Sequence, residues 1–155
     1  MATLRREMTI PNETKHLAIV RQTAMEVLEL TPLDVKTRNK IVVAVDEALA
    51  NVVEHAYQGG QGPIELVFAV DPERLQVIIR DNGVRFDPGD TGLQSSIDIH
   101  QHIRLGLKGG LGMFLMRQIM DEVQYLHETP WTNELVMIKL LSRDGEAKTT
   151  LAPAR

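Results

Sequence analysis

The sequence VDEALANVVEHAY, residues 45–57, carries two spacings that decide how this part of the chain folds. Small and branched apolar residues recur every three or four positions, which is the spacing of the buried stripe of an α-helix. Glu47 and Asn51 are four positions apart, so they lie one turn apart on another face, and His55 extends that line. We therefore predict a helix that buries one side and presents a carboxylate and a carboxamide together on another.

The pair Glu47 and Asn51 combines two groups suited to phosphate chemistry. A carboxylate can act as a general base, and a carboxamide oxygen is a hard ligand of the kind that Mg²⁺ prefers. A solvated polar face is the more frequent meaning of an isolated pair at this spacing. The pair alone therefore leaves both interpretations open.

Outward from this helix, the sequence predicts an earlier helix before it and a glycine-rich turn after it. Asn12 is the expected N-cap of a helix over residues 12–30. Thr31 followed by Pro32 is a start signal for the helix that contains the quoted stretch, and this helix is expected to end near Tyr57. The glycine-rich turn follows because glycine and proline do not continue a helix.

Strands are predicted on both sides of a long segment that is rich in glycine. Residues 82–110 contain six glycines and little apolar periodicity, which is typical of a functional or mobile loop. A short helix is expected within it near residues 95–102. The strand patterns occupy residues 4–11, 64–70, 75–80, 123–128 and 135–141, and a third helix pattern occupies residues 111–121. These elements predict an α+β fold, a two-layer sandwich with helices on one face of a mostly antiparallel sheet. We assign residues 1–142 to one domain and residues 143–155 to a polar tail.

The composition narrows the class of protein. The chain of 155 residues has no cysteine, which excludes disulfides and thiolate metal sites. Its net charge is -4, from 17 Lys and Arg against 21 Asp and Glu, and aromatic residues make up 4%, so nucleic-acid binding is not expected. No segment has the apolar character of a signal peptide or a membrane span. We therefore expect a cytoplasmic protein that binds neither nucleic acid nor membranes.

A second segment with candidate binding residues is VIIRDNGVRFDP, residues 77–88. An apolar strand delivers Asp81 to its end, and Gly83 lets the backbone turn closely past that carboxylate. A buried aspartate can accept a hydrogen bond from an exocyclic amine such as that of adenine, and such contacts orient ligands in apolar pockets. An ordinary turn is the competing interpretation, because Asp-Asn-Gly is a common turn sequence.

The third segment is GLKGGLGMFLMRQIMDEV, residues 106–123. Gly109, Gly110 and Gly112 surround the start of a helix, where free backbone N–H groups and the helix dipole suit a phosphate chain. Lys108 stands just before them as a point charge. A flexible loop capped by a helix is the alternative, and neither the Walker lysine motif nor the Rossmann glycine pattern is present.

In this order, the three stretches VDEALANVVEHAY, RDNGVRFDP and GGLGMFLMRQIMDEVQY resemble the N, G1 and G2 boxes of Bergerat-fold ATPases, which include gyrase, MutL and histidine kinases. The His-Ala-Tyr ending, the Phe-Asp-Pro after the turn and the Arg-Gln-Ile-Met-Asp-Glu-Val run are most similar to the anti-sigma-factor serine kinases. The resemblance extends over about residues 3–142, and it implies a two-layer sandwich of the Bergerat ATPase type.

The resemblance also implies roles for individual residues. Glu47 would be the general base, and Asn51 would hold the Mg²⁺ that bridges the phosphates of ATP. Asp81 would bind the adenine amine, with Gly83 beside it. The residues expected to frame the phosphates are Lys108, Gly109, Gly110, Leu111 and Gly112.

By the same resemblance, the chain would be an ATP-dependent serine-protein kinase and anti-sigma regulator. Its partners would be an anti-anti-sigma protein of the STAS fold, which it phosphorylates on a serine, and a sigma factor. Homodimerisation through the strand that begins at Leu4 is a further possibility.

One position departs from the family pattern and keeps a second function open. The G1 box usually has another glycine two residues after the first, and here that position is Arg85. The alternative is a non-catalytic switch module that binds nucleotide or a partner and acts by sequestration. The catalytic domain of a two-component histidine kinase is a third hypothesis, disfavoured because the chain has no long dimerisation helix with a phosphoacceptor histidine.

Overall fold

The computed structural model describes residues 3–58, 60–85, 111–127 and 129–141. Their elements, in chain order, are β1 (Leu4–Pro11), a 3-10 turn (Thr14–His16), α1 (Leu17–Leu28), α2 (Val35–Asn51), a π-helical turn (Val52–Ala56), β2 (Pro63–Val70), β3 (Arg74–Asp81), α3 (Leu111–Ile119), β4 (Glu122–Leu126) and β5 (Asn133–Leu140). The element order predicted from the sequence is confirmed. The short helix expected near residues 95–102 and the tail over residues 143–155 lie outside the described residues.

The described strands form one sheet in the order β1-β2-β3-β5-β4, and each neighbouring pair is antiparallel. β3 therefore lies in the middle of the sheet, between β2 and β5. In this register Asp81 at the end of β3 is opposite Ile64 of β2 and Asn133 of β5. The polar end of β3 is thus held between two strands.

The main core lies between one face of the sheet and the three helices. Alternate strand residues such as Phe68, Ile79 and Met137 point into it and belong to the same buried cluster as Ile41 and Leu49 of α2. Each fully buried side chain of this kind stabilises the fold by about 1.5–3 kcal/mol. The α+β sandwich with helices on one face, predicted from the sequence, is confirmed.

The other face of the sheet carries a smaller apolar cluster that includes Val67 and Ile78. Beside it, the guanidinium of Arg80 pairs with Glu65 at 2.5 Å and with Glu134 at 3.4 Å. These ion pairs join β2, β3 and β5 immediately next to Asp81 in the chain. Of the helices that the structure describes, none has both the length and the apolar character that crossing a bilayer requires.

The prediction that Asn12 caps the first helix is wrong. The helical region begins with the 3-10 turn at Thr14, and no side chain caps it. Asn12 is instead buried, and its Nδ2 donates to the carbonyl of Gly60 at 3.2 Å. The Asn12 side chain, directly after β1, is therefore engaged in a long-range contact with the turn before β2 and does not form a local cap.

The start of α2 also differs from the prediction. The Thr31 hydroxyl donates back to the carbonyl of Leu28 at 2.6 Å, so it closes α1 and does not open α2. Asp34 is the N-cap of α2, because its Oδ1 accepts the backbone N–H of Thr37 at 2.8 Å. Pro32 precedes the helix and is not its first residue.

We expect the substitution Asp34→Ala to lower the free energy of unfolding by about 1 kcal/mol, because the first turn of α2 loses the acceptor for an orphan N–H. Urea denaturation followed by circular dichroism measures this change. Lys40→Ala is the control, since Lys40 is an exposed residue of the same helix beyond its first turn. Equal stability of the two variants would show that this cap contributes nothing.

The α-helical hydrogen-bond pattern of α2 ends at Asn51, earlier than predicted, and a π-helical turn covers Val52–Ala56. Tyr57 and Gln58 then leave the helix, and Gln58 adopts a positive φ of 48°. π-helical turns are rare and are frequently found at functional sites. The remaining element ends agree with the predictions to within one or two residues.

Candidate functional site

A cleft with an empty volume of about 540 Å³ opens between the end of α2 and the ends of β3 and β5. Its walls are mostly apolar, with a few polar groups placed among them. The lining residues are Ala48, Asn51, Val52, His55, Ala56, Ile79, Asp81, Val84, Arg85, Tyr125, Asn133 and Leu135. A mostly apolar lining with a few polar groups is typical of a small-molecule site.

Asp81 provides a buried carboxylate in this cleft, since its residue is only 3% exposed. Its Oδ1 accepts the backbone N–H of Gly83 and the Nδ2 of Asn133, both at 2.9 Å. The carboxylate is therefore fixed in direction from its own turn and from the neighbouring strand. The sequence placed Asp81 at a strand end, and the structure confirms that position.

Gly83 is needed where the turn after β3 meets the end of the helix. A Cβ on Gly83 would overlap the carbonyl group of Ala56 and would lie 2.8 Å from its Cβ. The next residue, Val84, donates its backbone N–H to the same carbonyl at 2.5 Å. The π-helical turn and the Asp81 turn are thus in direct backbone contact, which a side chain would prevent.

Asn133 is a site residue that the sequence reasoning missed. It is 4% exposed, and its Nδ2 donates to Val84 O at 2.8 Å as well as to Asp81. One amide therefore holds both the carboxylate and the turn that follows it. The available signal was weak: a polar residue two positions before the last predicted strand, which only the sheet register places opposite Asp81.

Tyr125 of β4 also lines the cleft and was not predicted. Burial raises the pKa of its phenol, and the charge of Arg117 opposes this effect. The phenol is therefore protonated at neutral pH and able to donate a hydrogen bond. The residues around Tyr125 do not indicate a role in the site, because Tyr125 reaches the cleft only through the pairing of β4 with β5.

Asn51 is the last residue of α2 and lines the cleft, whereas Glu47 lies one turn before it and outside the lining. Glu47 is half-buried, and with the other described residues it forms no hydrogen bond or ion pair. The adjacent Asp46 faces away and pairs with Arg21 of α1 at 3.0 Å. Of the two neighbouring carboxylates, only that of Asp46 is engaged with another described side chain.

Two charged or titratable residues stand at the exposed part of the cleft. Arg85 lines it with an exposed side chain, and within the described ranges no carboxylate pairs with it. His55 also lines it, and its Nε2 is 3.7 Å from Glu54. Arg85 therefore does not fill the cleft, although it departs from the glycine of the family pattern.

The predicted phosphate-binding segment is only partly within the described residues. Lys108, Gly109 and Gly110 lie outside them. Leu111 and Gly112 are the first residues of α3, a helix that packs against α2. The predicted helix start is confirmed, and the contact of these residues with a ligand stays a prediction.

The structure combines an apolar cleft beside a helix, a fixed carboxylate in that cleft and an antiparallel sheet. This combination is the one expected of a Bergerat-type ATPase. Residues 10–139 match the model of the histidine kinase-like ATPase domain. The chain belongs to this family. The Bergerat-type fold that the three motifs indicated is thereby confirmed.

Particular relatives narrow the class to serine-protein kinases. The chain is 33% identical over 141 residues to the serine-protein kinase RsbW of Bacillus cereus (strain AH187), covering 89% of this chain and 86% of that protein. The RsbW proteins of Bacillus mycoides (strain KBAB4) and Bacillus anthracis (strain CDC 684 / NRRL 3495) are 31% and 32% identical with the same coverage. The resemblance to the anti-sigma-factor serine kinases is confirmed.

Proposed function

We propose that this chain is an ATP-dependent serine-protein kinase and anti-sigma regulator. It phosphorylates a serine of a STAS-domain anti-anti-sigma protein and switches between that protein and a sigma factor. The observation that carries the proposal is the buried carboxylate of Asp81 in an apolar cleft that Asn51 also lines. As a regulator of a sigma factor, the protein would act in the cytoplasm, where transcription takes place.

The cleft suits the adenine of ATP in both shape and polarity. Val52, Ile79 and Leu135 offer apolar surface to the flat faces of a base. Asp81 accepts the exocyclic amine, since its carboxylate is already held in place by Gly83 and Asn133. A guanine would present a carbonyl oxygen at that point, and two acceptors would then face each other. The site therefore selects adenine over guanine.

Asn51 suits a magnesium ion that accompanies the phosphates. The described residues contain no group of three or more His, Asp or Glu side chains able to hold a metal ion. Mg²⁺ is commonly bound by one or two protein oxygens together with substrate phosphates and water, so one carboxamide oxygen is an adequate protein ligand. When bound, the ion would neutralise charge on the phosphates.

Glu47 is the general base of the proposed reaction. Its carboxylate takes the proton of the serine hydroxyl as the serine oxygen bonds to the terminal phosphorus, and ADP leaves with the electrons of the broken bond. Lys108, Gly109, Gly110, Leu111 and Gly112 would contact the phosphates through a cation and backbone N–H groups. Positioning and charge stabilisation supply most of the catalysis in such transfers.

The partners follow from the same proposal. β1 is an edge strand of the described sheet, and among the described residues it pairs only with β2, which supports sheet extension along its other edge in a homodimer. The exposed Arg85 is the observation that favours the alternative, a non-catalytic switch. Transfer from labelled Mg-ATP to each STAS-domain protein of the same genome separates the two. Labelling of one partner on serine supports the kinase, and partner binding without labelling supports sequestration.

We expect Asp81→Asn to weaken Mg-ATP binding about 10- to 100-fold, because the amide cannot reproduce a charge-assisted hydrogen bond to the adenine amine. GTP binding should be unchanged or stronger, since an amide donor can face the guanine carbonyl. Isothermal titration calorimetry with both nucleotides measures this. The control is Asp71→Asn in the turn between β2 and β3, whose carboxylate accepts backbone N–H groups of that turn. Unchanged ATP affinity in Asp81→Asn would contradict the adenine role.

A further inference from the structure

The hydroxyl of Tyr57 lies between two strand ends beside the cleft. It donates to the carbonyl of Pro63 at 2.7 Å and accepts the backbone N–H of Asn82 at 2.8 Å. Ile64 is opposite Asp81 in the sheet. The next opposed positions are therefore Pro63, the first residue of β2, and Asn82, the residue directly after β3. Pro63 has no N–H to donate, so a complete ladder step is impossible there. The phenol bridges the two backbones in its place.

The ring that carries this hydroxyl is held firmly. A Cβ on Gly62 would overlap it and would lie 2.6 Å from its Cδ1, so the ring lies directly against the Gly62 backbone. The Tyr57 carbonyl accepts the N–H of Gly60 at 2.7 Å, a second backbone contact of this residue. Burial raises the pKa of the Tyr57 phenol, with the hydrogen bond from Asn82 opposing, so the hydroxyl keeps its proton at neutral pH. It can therefore both donate and accept.

The two ends of this bridge belong to different parts of the site. Tyr57 directly follows the π-helical turn after Asn51, while Asn82 directly follows Asp81. The Asn82 side chain also accepts the N–H of Thr132 at 3.0 Å, one residue before Asn133. A single hydroxyl thus connects the end of the helix to the turn that carries the adenine carboxylate.

We propose that Tyr57 is a positioning residue that sets the selectivity of the cleft for adenine. By holding the Asn82 backbone, its hydroxyl fixes where the Asp81 carboxylate stands relative to the helix that carries Asn51. A base and a phosphate chain that bind at once to Asp81 and Asn51 need this distance to be constant. The inference rests on the proposed adenine role of Asp81, and it assigns no chemical step to Tyr57.

The variant Tyr57→Phe keeps the ring and removes only the bridge. We expect the ratio of ATP affinity to GTP affinity to fall about fivefold, through weaker ATP binding with GTP binding unchanged. Thr23→Val is the control, because the Thr23 hydroxyl donates to the carbonyl of Ile19 within α1, and Thr23 is not a lining residue of the cleft. This control should keep the wild-type ratio, and both variants should melt within a few degrees of wild type.

A second variant tests the same idea without removing the hydroxyl. Gly62→Ala pushes the Tyr57 ring out of its place, so it should lower the same affinity ratio. Equal weakening of ATP and GTP in Tyr57→Phe, or an unchanged ratio in both variants, would overturn the proposal. Asp81→Asn distinguishes failure of the adenine site from failure of the Tyr57 role. A wild-type ratio of ATP to GTP affinity in that variant refutes the adenine site itself. If this ratio falls in Asp81→Asn but stays at the wild-type value in Tyr57→Phe and Gly62→Ala, only the role of Tyr57 is refuted.

Discussion

Glu47→Gln is expected to lower the rate of serine phosphorylation about 100- to 10,000-fold while Mg-ATP stays bound with near wild-type affinity. The side chain keeps its size and its place one turn before Asn51 on α2, but an amide cannot accept the proton of the serine hydroxyl. Glu47 lies outside the lining of the cleft, so the nucleotide contacts remain. Single-turnover transfer from labelled ATP to a STAS partner gives the rate, and calorimetry gives the affinity.

Asp46→Asn is the matched control, since the two carboxylates are adjacent in the same helix. Asp46 pairs with Arg21 of α1 on a different side, in a surface ion pair that contributes little to stability. Its variant should therefore transfer phosphate at nearly the wild-type rate. If Glu47→Gln retained transfer, or if both variants lost it equally, Glu47 would not be the base.

Gly83→Ala is expected to abolish measurable ATP binding and to lower the free energy of unfolding by about 1–3 kcal/mol. The new Cβ would overlap the carbonyl of Ala56, which is backbone and cannot rotate away. Either the π-helical turn or the Asp81 turn must then move, and the hydrogen bond from Val84 to Ala56 is lost. Thermal melting gives the stability, and calorimetry with Mg-ATP gives the binding.

Gly60→Ala provides the comparison for a glycine in a neighbouring turn. A Cβ there would lie 3.0 Å from the carbonyl oxygen of Tyr57, a contact relieved by a small shift. Gly60 is not a lining residue of the cleft, so ATP binding should largely survive. Wild-type ATP affinity in Gly83→Ala would show that the close approach at Ala56 does not control the position of Asp81.

The secondary structure was predictable because the relevant signals are local. The spacing of Val45, Ala48 and Leu49 predicted the buried face of α2, and all three are buried. The apolar run before Asp81 predicted both a strand and the place where it ends. Periodicity of this kind depends on residues within one or two turns, which the sequence displays directly.

The caps were predicted poorly because local propensity competes with distant contacts. Asn12 and Thr31 have the right side chains for N-caps, yet the first bonds to Gly60 and the second closes the preceding helix. The end of α2 was missed for a related reason. The carbonyl of Ala56 in the π-helical turn accepts a hydrogen bond from Val84, a residue that approaches only after the sheet has formed.

The sequence by itself determined the order of the elements, the fold class and three segments with candidate functional residues, because each depends on neighbouring residues. Only the tertiary structure decided that Asn133 holds Asp81, a contact across 52 positions of the chain. The bridge from Tyr57 to Asn82 and the contact of Gly83 with Ala56 also join residues that are far apart in the sequence. They depend on strand register and on how closely a helix end approaches a sheet, and long-range packing sets both.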